Sequence, residues 1–262
     1  RQMCIRDSHS LAQRQAGMSR CWLTGAGSGI GAALALHLLE QGHQVALGAR
    51  HADKLTALAA QFPGQVLLTV GDIDQPGQVA QMAGEIERAW GALDQVILNA
   101  GTCEYLEPGH FDPALVERVI RTNLTGTSLC LAAALPLLRR GQQPHLVVMG
   151  SSVSWLALPR AGAYGASKAA LRYLVESLRI DLAGEGIDVT LVSPGFVDTP
   201  LTRRNDFPMP QLWSAERAAT HIIARLPRRP LEIAFPATFI LVLRLLGALP
   251  ARWRLKLGRH LA

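Results

Sequence analysis

Tyr164 and Lys168 stand four residues apart in the stretch MGSSVSWLALPRAGAYGASK, residues 149–168, with Ser151, Ser152 and Ser154 just ahead of them. In water a phenol and an ammonium both titrate near pH 10, so neither alone suits acid–base work at neutral pH. The segment AYGASKAALRYLVESLRIDLAG carries apolar residues at helical spacing. A four-residue step on a helix brings two side chains onto one face, about one turn apart. An ammonium held there favours the phenolate and lowers the pKa of the phenol toward the working range. A tyrosine so tuned can give a proton to a developing alkoxide or take one from an alcohol. YxxxK also arises by chance on amphipathic helices, so its meaning depends on the rest of the chain.

That context begins far upstream, where Thr24 to Gly31 reads TGAGSGIG. The apolar run CWLTG precedes it, and GIGAALALHLLEQG, with helical apolar spacing and a Gly stop, follows it. A glycine turn between strand and helix lets the backbone approach a pyrophosphate closely. The N–H groups around Gly25, Ser28, Gly29, Ile30 and Gly31, at the positive end of a helix dipole, then hold the anion. A dinucleotide is therefore the expected ligand. An NAD enzyme places Asp or Glu at the end of the second strand to accept from the ribose 2′-hydroxyl. Here that place holds Ala49, followed by Arg50 and His51. A guanidinium suits a 2′-phosphate, so NADP(H) is favoured over NAD(H).

These groups need a scaffold that turns a linear order into one site. Short apolar runs at 21–25, 44–49, 65–70, 94–99, 145–150 and 187–192 alternate with longer helical patterns. Strands that are apolar throughout and separated by helices indicate a parallel sheet covered on both faces. The expected fold is α/β, a doubly wound Rossmann sheet in one domain from residue 18 to 262. With 49% hydrophobic and 18% charged residues, the chain can build a large core, which excludes disorder as the main state. Four cysteines, at 4, 21, 103 and 130, lie too far apart for a CxxC pair, so neither a disulfide framework nor a metal site is expected. A reducing, cytoplasmic compartment is the expected location.

The net charge of +6 divides into +2 over residues 1–17, −4 over 18–216 and +8 over 217–262. The mildly acidic body excludes a protein-wide nucleic-acid surface. Residues 1–17 lack the apolar region of a signal peptide. Their opening, RQMCIRDS, resembles translated adaptor sequence, so a non-native or disordered tail with Met18 as the true start is expected.

The spacing Gly25-x3-Gly29-x-Gly31 together with YxxxK resembles the short-chain dehydrogenase/reductase family, in its short single-domain branch. The resemblance runs from residue 20 to about 200. It implies that Asp72, at the end of the third strand, contacts adenine. It also implies that LNAG, with Asn99, Ala100 and Gly101, borders the adenosine ribose; Leu98 departs from the family's NNAG. In SPGFVDTPL, Pro194 and Gly195 would turn the chain under the nicotinamide. Val197 would bond the carboxamide through its backbone, and Thr199 would face the cofactor phosphates. Asn123, in IRTNLTGT, matches the asparagine that holds a water against the lysine. Lys168 would also bind the ribose. The family serine lies thirteen residues before the tyrosine, which points to Ser151. A one-residue deletion in the loop would give that role to Ser152 instead, and Ser154 is too close. The implied activity is an NAD(P)-dependent oxidoreductase interconverting a carbonyl and a secondary alcohol, in a chain that forms a homo-oligomer. A non-catalytic nucleotide-binding redox sensor is the alternative.

Beyond Thr199 the pattern ends. Phe207, Met209, Leu212 and Trp213 are expected to form an apolar lid over the substrate. Residues 233–235 are expected as a last strand. The tail, about 236–262, joins FILVLRLLGAL to a cluster of Arg and Lys, too short and interrupted for a transmembrane span. It is expected either to pack on the body or a partner subunit, or to lie on an anionic membrane. The tail is similar to those of relatives acting on lipophilic ketones and alcohols, so a lipophilic substrate is expected.

Overall fold

The computed structural model describes residues 18–107 and 109–259, and the expectation for residues 1–17 lies outside these. Seven strands form one parallel sheet in the order β3-β2-β1-β4-β5-β6-β9. They are β1 (Arg20–Thr24), β2 (Gln44–Ala49), β3 (Val66–Val70), β4 (Gln95–Leu98), β5 (His145–Met149), β6 (Asp188–Pro194) and β9 (Glu232–Phe235). Every expected strand is present, with no end moved by more than two residues. Two further strands, β7 (Val197–Asp198) and β8 (Trp213–Ser214), make a separate two-residue parallel pair.

Period-two alternation sends successive side chains to opposite faces of a sheet covered on both sides. In β1, Cys21 and Leu23 join one core with Leu47 and Ile97. Between them, Trp22 joins the other core with Val96, Leu146 and Val148. The first core is closed by α1 (Gly29–Glu40), through Leu34 and Leu38, and by α7 (Ala215–Ile223), through Ala218 and Ile222. Met82 and Ile86 of α3 (Pro76–Trp90), Cys130 and Ala134 of α5 (Thr127–Leu138), and Leu171 and Val175 of α6 (Gly162–Leu182) close the second. Each fully buried leucine contributes roughly 1.5–3 kcal/mol. The strand order reverses between β1 and β4, opening a crevice beyond their carboxyl ends.

Two short helices complete the left and central parts, α2 (Asp53–Gln61) and α4 (Pro113–Ile120). Between α4 and α5 the chain passes through a π-helical turn, Arg121–Gly126, which carries Asn123. Such wide turns often occur at functional sites.

The C-terminal tail forms two helices rather than one, α8 (Ala237–Gly247) and α9 (Ala251–Arg259). Pro250 divides them, because it lacks an N–H and its ring would clash with the carbonyl four residues back. Ile240 and Leu243 bury one side of α8, whereas α9 buries no residue. The packing expectation therefore holds for α8 alone. The lid expectation also needs correction at Trp213. Its ring stacks on Phe235 at 4.9 Å, with the Arg217 guanidinium 4.0 Å from its centroid, so it packs against the main sheet rather than over the cleft.

Candidate active site

A cleft of about 850 Å³ opens beyond the carboxyl ends of β1 to β6. At one end the glycine turn approaches its surroundings so closely that side chains are excluded. Gly25 has φ +70°, and a Cβ there would lie 2.8 Å from the Ala100 Cα. Gly29 has φ +54°, with Thr199 Cγ2 at 2.9 Å from its would-be Cβ. A Cβ on Gly31 would lie 2.1 Å from the Gly25 carbonyl oxygen. By contrast a Cβ on Gly27 would touch only Ala49 Cβ, at 3.6 Å. Ser28 starts α1 in an extended conformation with no side-chain cap, so the first N–H groups of the helix remain directed to the cleft. This bare backbone cradle fits the pyrophosphate of a dinucleotide.

The loop after β4 is clamped to the same turn. Thr24 Oγ1 accepts from the N–H groups of Asn99 and Ala100, at 3.0 and 3.2 Å. Asn99 Nδ2 donates to the carbonyls of Thr24 and Gly25, at 3.1 and 3.2 Å. The side chain of Asn99 thus staples two loops together. Arg50 and Asp72 line the cleft at the ends of β2 and β3, and Ile30, Ala100, Gly101, Pro194, Gly195, Val197 and Thr199 complete the expected lining. Asp72 accepts from the Asp74 N–H at 3.0 Å, closing its own turn.

At the other end the cleft meets Ser151, Tyr164 and Lys168. Ser151 caps the turn Ser152–Trp155, and its hydroxyl accepts from the Val153 N–H at 3.3 Å. Ser152 is buried away from the cleft, and the Ser154 hydroxyl donates to the Ser151 carbonyl at 2.9 Å. Spacing had left Ser151 and Ser152 open; the geometry brings only Ser151 to the cleft.

Lys168 is 5% exposed, and its Nζ donates to the Met149 carbonyl at 2.8 Å and lies 6.0 Å from the centroid of the Tyr164 ring. Burial pulls its pKa down to about 8. Burial also pushes the Tyr164 phenol up, the nearby Cys103 thiol adds to the rise, and a hydrogen bond with Ser151 works against it. The expected lowering of Tyr164 by the ammonium is therefore overturned for the chain by itself. Desolvation outweighs it, and the lysine, itself desolvated, is turned onto a carbonyl.

Asn123 does not line the cleft. It is fully buried behind Gly101, where Oδ1 accepts from the Thr102 N–H at 2.7 Å and Nδ2 donates to the Thr102 carbonyl and Ser167 Oγ, both at 2.9 Å. A Cβ on Gly101 would fall 3.0 Å from Asn123 Oδ1 and 3.6 Å from Lys168 Nζ. Asn123 therefore braces the loop that faces the lysine. Ser167 joins this brace to α6 by donating to the Tyr164 carbonyl at 2.7 Å. The sequence reading gave Thr24, the first residue of TGAGSGIG, no role of its own and missed Ser167, inside YxxxK; nothing in their type signals a clamp.

Phe207 is the one expected lid residue whose ring joins the aromatic wall of Tyr105, Phe196 and Phe239, which abuts the cleft where Phe239 packs on Gly195. It lies edge-on to Tyr105 at 5.4 Å and to Phe196 at 6.1 Å, and its neighbour Asp206 accepts from Arg160 at 2.8 Å. Met209 Sδ accepts from Asn205, and Leu212 is exposed. Tyr105 and Cys103 were also missed; they follow LNAG with no motif of their own.

A doubly wound sheet with a bare glycine cradle at its switch point and a Ser-Tyr-Lys group beside it defines a dinucleotide-binding oxidoreductase. The family model for the short chain dehydrogenase matches residues 20–208. An uncharacterised oxidoreductase of Myxococcus xanthus is 35% identical over 231 residues, covering 87% of this chain and 91% of its own. The 11-beta-hydroxysteroid dehydrogenase 1A of Arabidopsis thaliana is 34% identical over 190 residues, 71% of this chain and 54% of its own. A short chain dehydrogenase from Burkholderia cenocepacia, solved in complex with NADP, superposes with a TM-score of 0.79 at 26% identity, covering 93% of this chain and 97% of its own. The chain belongs to the short-chain dehydrogenase/reductase family, and it is an NAD(P)-dependent oxidoreductase.

Proposed function

We propose that this enzyme reduces a lipophilic ketone, or oxidises the corresponding secondary alcohol, with NADP(H) as the preferred cofactor. The observation that carries the reading is the convergence of Ser151, Tyr164 and Lys168 at one end of a cleft whose other end is the glycine cradle. Gly25, Ser28, Gly29, Ile30, Gly31 and Thr199 would hold the pyrophosphate, and Asp72, Asn99, Ala100 and Gly101 would border the adenosine. Pro194, Gly195 and Val197 would support the nicotinamide. When bound, the nicotinamide supplies or accepts the hydride at the substrate carbon.

Every other task falls to the chain's own side chains. The Ser151 hydroxyl donates to the substrate oxygen and stabilises charge developing there. Tyr164, held protonated by burial, gives its phenolic proton to that oxygen in reduction and takes it back in oxidation. Lys168 carries the charge that eases this transfer and would bind the ribose of the cofactor. Asn123 acts through others, bracing the Gly101 loop against the lysine. Arg50, at the end of β2, supports the NADP(H) preference, since no carboxylate stands at Ala49 to His51 and a guanidinium pairs well with a 2′-phosphate. The complex of the Burkholderia relative with NADP supports the same choice. A lipophilic substrate is supported by the aromatic wall of Tyr105, Phe207, Phe196 and Phe239 and by the hydroxysteroid dehydrogenase name of the Arabidopsis relative.

Membership of the family supports a homo-oligomer, and the face of α6 that exposes Tyr173 and Ile180 is the surface we assign to a second copy. The unpaired thiols of Cys21, Cys103 and Cys130 fit a cytoplasmic location. The test is a panel of ketones and secondary alcohols assayed with NADPH and NADH side by side, for the wild type and Tyr164→Phe. Turnover is expected with NADPH and to fall by a factor of about 10²–10⁴ in the variant, with cofactor binding retained. Normal turnover in Tyr164→Phe would sink the assignment, and cofactor binding with no turnover of any substrate would favour a sensor.

A further inference from the structure

The two C-terminal helices leave a surface that the oxidoreductase reading does not use. On α8 the buried side carries Ile240 and Leu243, and the opposite side presents Leu241, Val242 and Leu245, each more than half exposed. The next turn adds Leu249, and α9 adds Trp253, Leu255 and Leu257, again exposed. These large apolar groups fall within seventeen residues, whereas isolated exposed apolar residues on a soluble surface are ordinary.

The charge of this surface identifies its occupant. Residues 233–262 hold five Arg and Lys and no Asp or Glu. Arg244 is engaged inward, donating to Glu232 at 2.6 Å with its guanidinium 4.6 Å from the Trp155 ring centroid. On α9, Arg252, Lys256 and Arg259 follow at steps of four and three, which places them in one strip along the helix. Trp253 and Leu257, also four apart, form a second strip. A helix with an apolar face carrying Trp and Leu and a basic strip beside it suits the boundary between lipid headgroups and acyl chains. A second copy of the chain would bring this all-basic strip against its own kind, which opposes a two-fold contact here. No helix among the described residues is long and apolar enough to cross a membrane.

We infer that the outer face of α8 and α9 docks this protein on an anionic lipid bilayer, with Leu241, Val242, Leu245 and Trp253 entering the interface and Arg252, Lys256 and Arg259 meeting lipid phosphates. The inference stands on this surface and not on the catalytic reading. It also gives the position of α8 a consequence. On the inner side of that helix, the Phe239 ring lies 5.5 Å from Phe196, which continues through Phe207 to Tyr105. The docked helix is thus also part of the aromatic wall beside the site.

The test is co-sedimentation of the full chain with vesicles of phosphatidylcholine alone or of a two-to-one mixture with phosphatidylglycerol. Binding is expected with the anionic vesicles only and to weaken as salt is raised. Each of Arg252→Gln and Lys256→Gln is expected to lower the partition coefficient about fivefold. Leu245→Glu is expected to lower it tenfold or more. Trp253→Phe should keep binding while removing a vesicle-induced blue shift of the tryptophan emission. Circular dichroism and melting keep the comparison to folded variants. Three results would overturn the inference: no sedimentation with either vesicle, equal sedimentation of wild type and all variants, or a concentration-dependent oligomer abolished by Leu245→Glu in a chain that ignores vesicles. The last would assign the face to a second copy.

Discussion

TGAGSGIG contains four glycines, and the fold makes them unequal in a way that mutation can read. Gly31→Ala places a methyl 2.1 Å from the Gly25 carbonyl oxygen and 2.5 Å from Asn99 Nδ2. Ordinary contact between such atoms begins at about 3.5 Å, so one side must retreat by more than an ångström. Neither side retreats freely. The Gly25 carbonyl accepts from Asn99 Nδ2 at 3.2 Å, and Gly25 has φ +70°, in a turn already packed on Ala100. Alanine gains about 1 kcal/mol of helix propensity over glycine. Against this stand overpacking of about 1–3 kcal/mol and loss of the Asn99 hydrogen bond at about 1 kcal/mol. The net is unfavourable by roughly 1–3 kcal/mol, and it falls on the turn proposed to hold the pyrophosphate, so NADPH affinity should drop by roughly 10- to 100-fold. Gly27→Ala meets only Ala49 Cβ at 3.6 Å and should bind within about threefold of the wild type. Titration of tryptophan fluorescence with NADPH, together with melting curves, measures both variants. Equal weakening by the two, or Gly31→Ala binding like the wild type, would refute the crowding argument.

Three further outcomes follow from the geometry of the site. Ser151→Ala is expected to lower kcat about 10²-fold with little change in Tm, whereas Ser152→Ala, buried beside it, should keep turnover; the reverse result would restore Ser152. Burial holds the folded-state pKa of Lys168 near 8, below its unfolded value of about 10.5, so the unfolded chain binds more protons between those values and this group makes wild-type stability rise with pH there. Lys168→Met lacks that group and should be inactive yet more stable than wild type at pH 7, by about 2 kcal/mol after losing the bond to Met149; melting series at pH 7 and pH 10 should show the gap closing, and a gap that widens contradicts the burial argument. Arg50→Ala should raise KM for NADPH about tenfold and leave KM for NADH nearly unchanged, a ratio that steady-state kinetics reads directly.

What was legible in the sequence is what local physics encodes. Strands buried on both faces must be apolar throughout, so HLVVM and QVALGA announced themselves, and Pro194 carried β6 only two residues past its expected end. The cradle was legible because no other residue type fits beside Ala100 and Thr199. The misses share one cause, that contacts between distant segments decide them. Trp213 belonged by composition to an apolar lid, yet a strand more than twenty residues later supplies Phe235 for it to stack on. Ser151 and Ser152 could not be separated because β5 ends at Met149, and past that point strand alternation no longer states which side chain faces the cleft.

The Tyr164–Lys168 pair shows the same limit in its electrostatics. A sequence displays the charge and its spacing, and from these alone the lysine should lower the phenol. It does not display desolvation, which arises only when the fold buries both side chains and which outranks the added charge effect of Cys103 on the phenol. In the folded chain burial acts on both partners, and it acts in opposite directions, raising the acid and lowering the base. Burial thus moves both values opposite to the way a simple ion pair would, so the tyrosine rests protonated, while the lysine, pulled down to about 8, still carries its charge at neutral pH. A pair in that condition is at rest as a donor. On the proposed reading, what shifts it toward accepting a proton is the positive charge of an oxidised nicotinamide, which a cofactor held at the glycine cradle would bring into the same cleft.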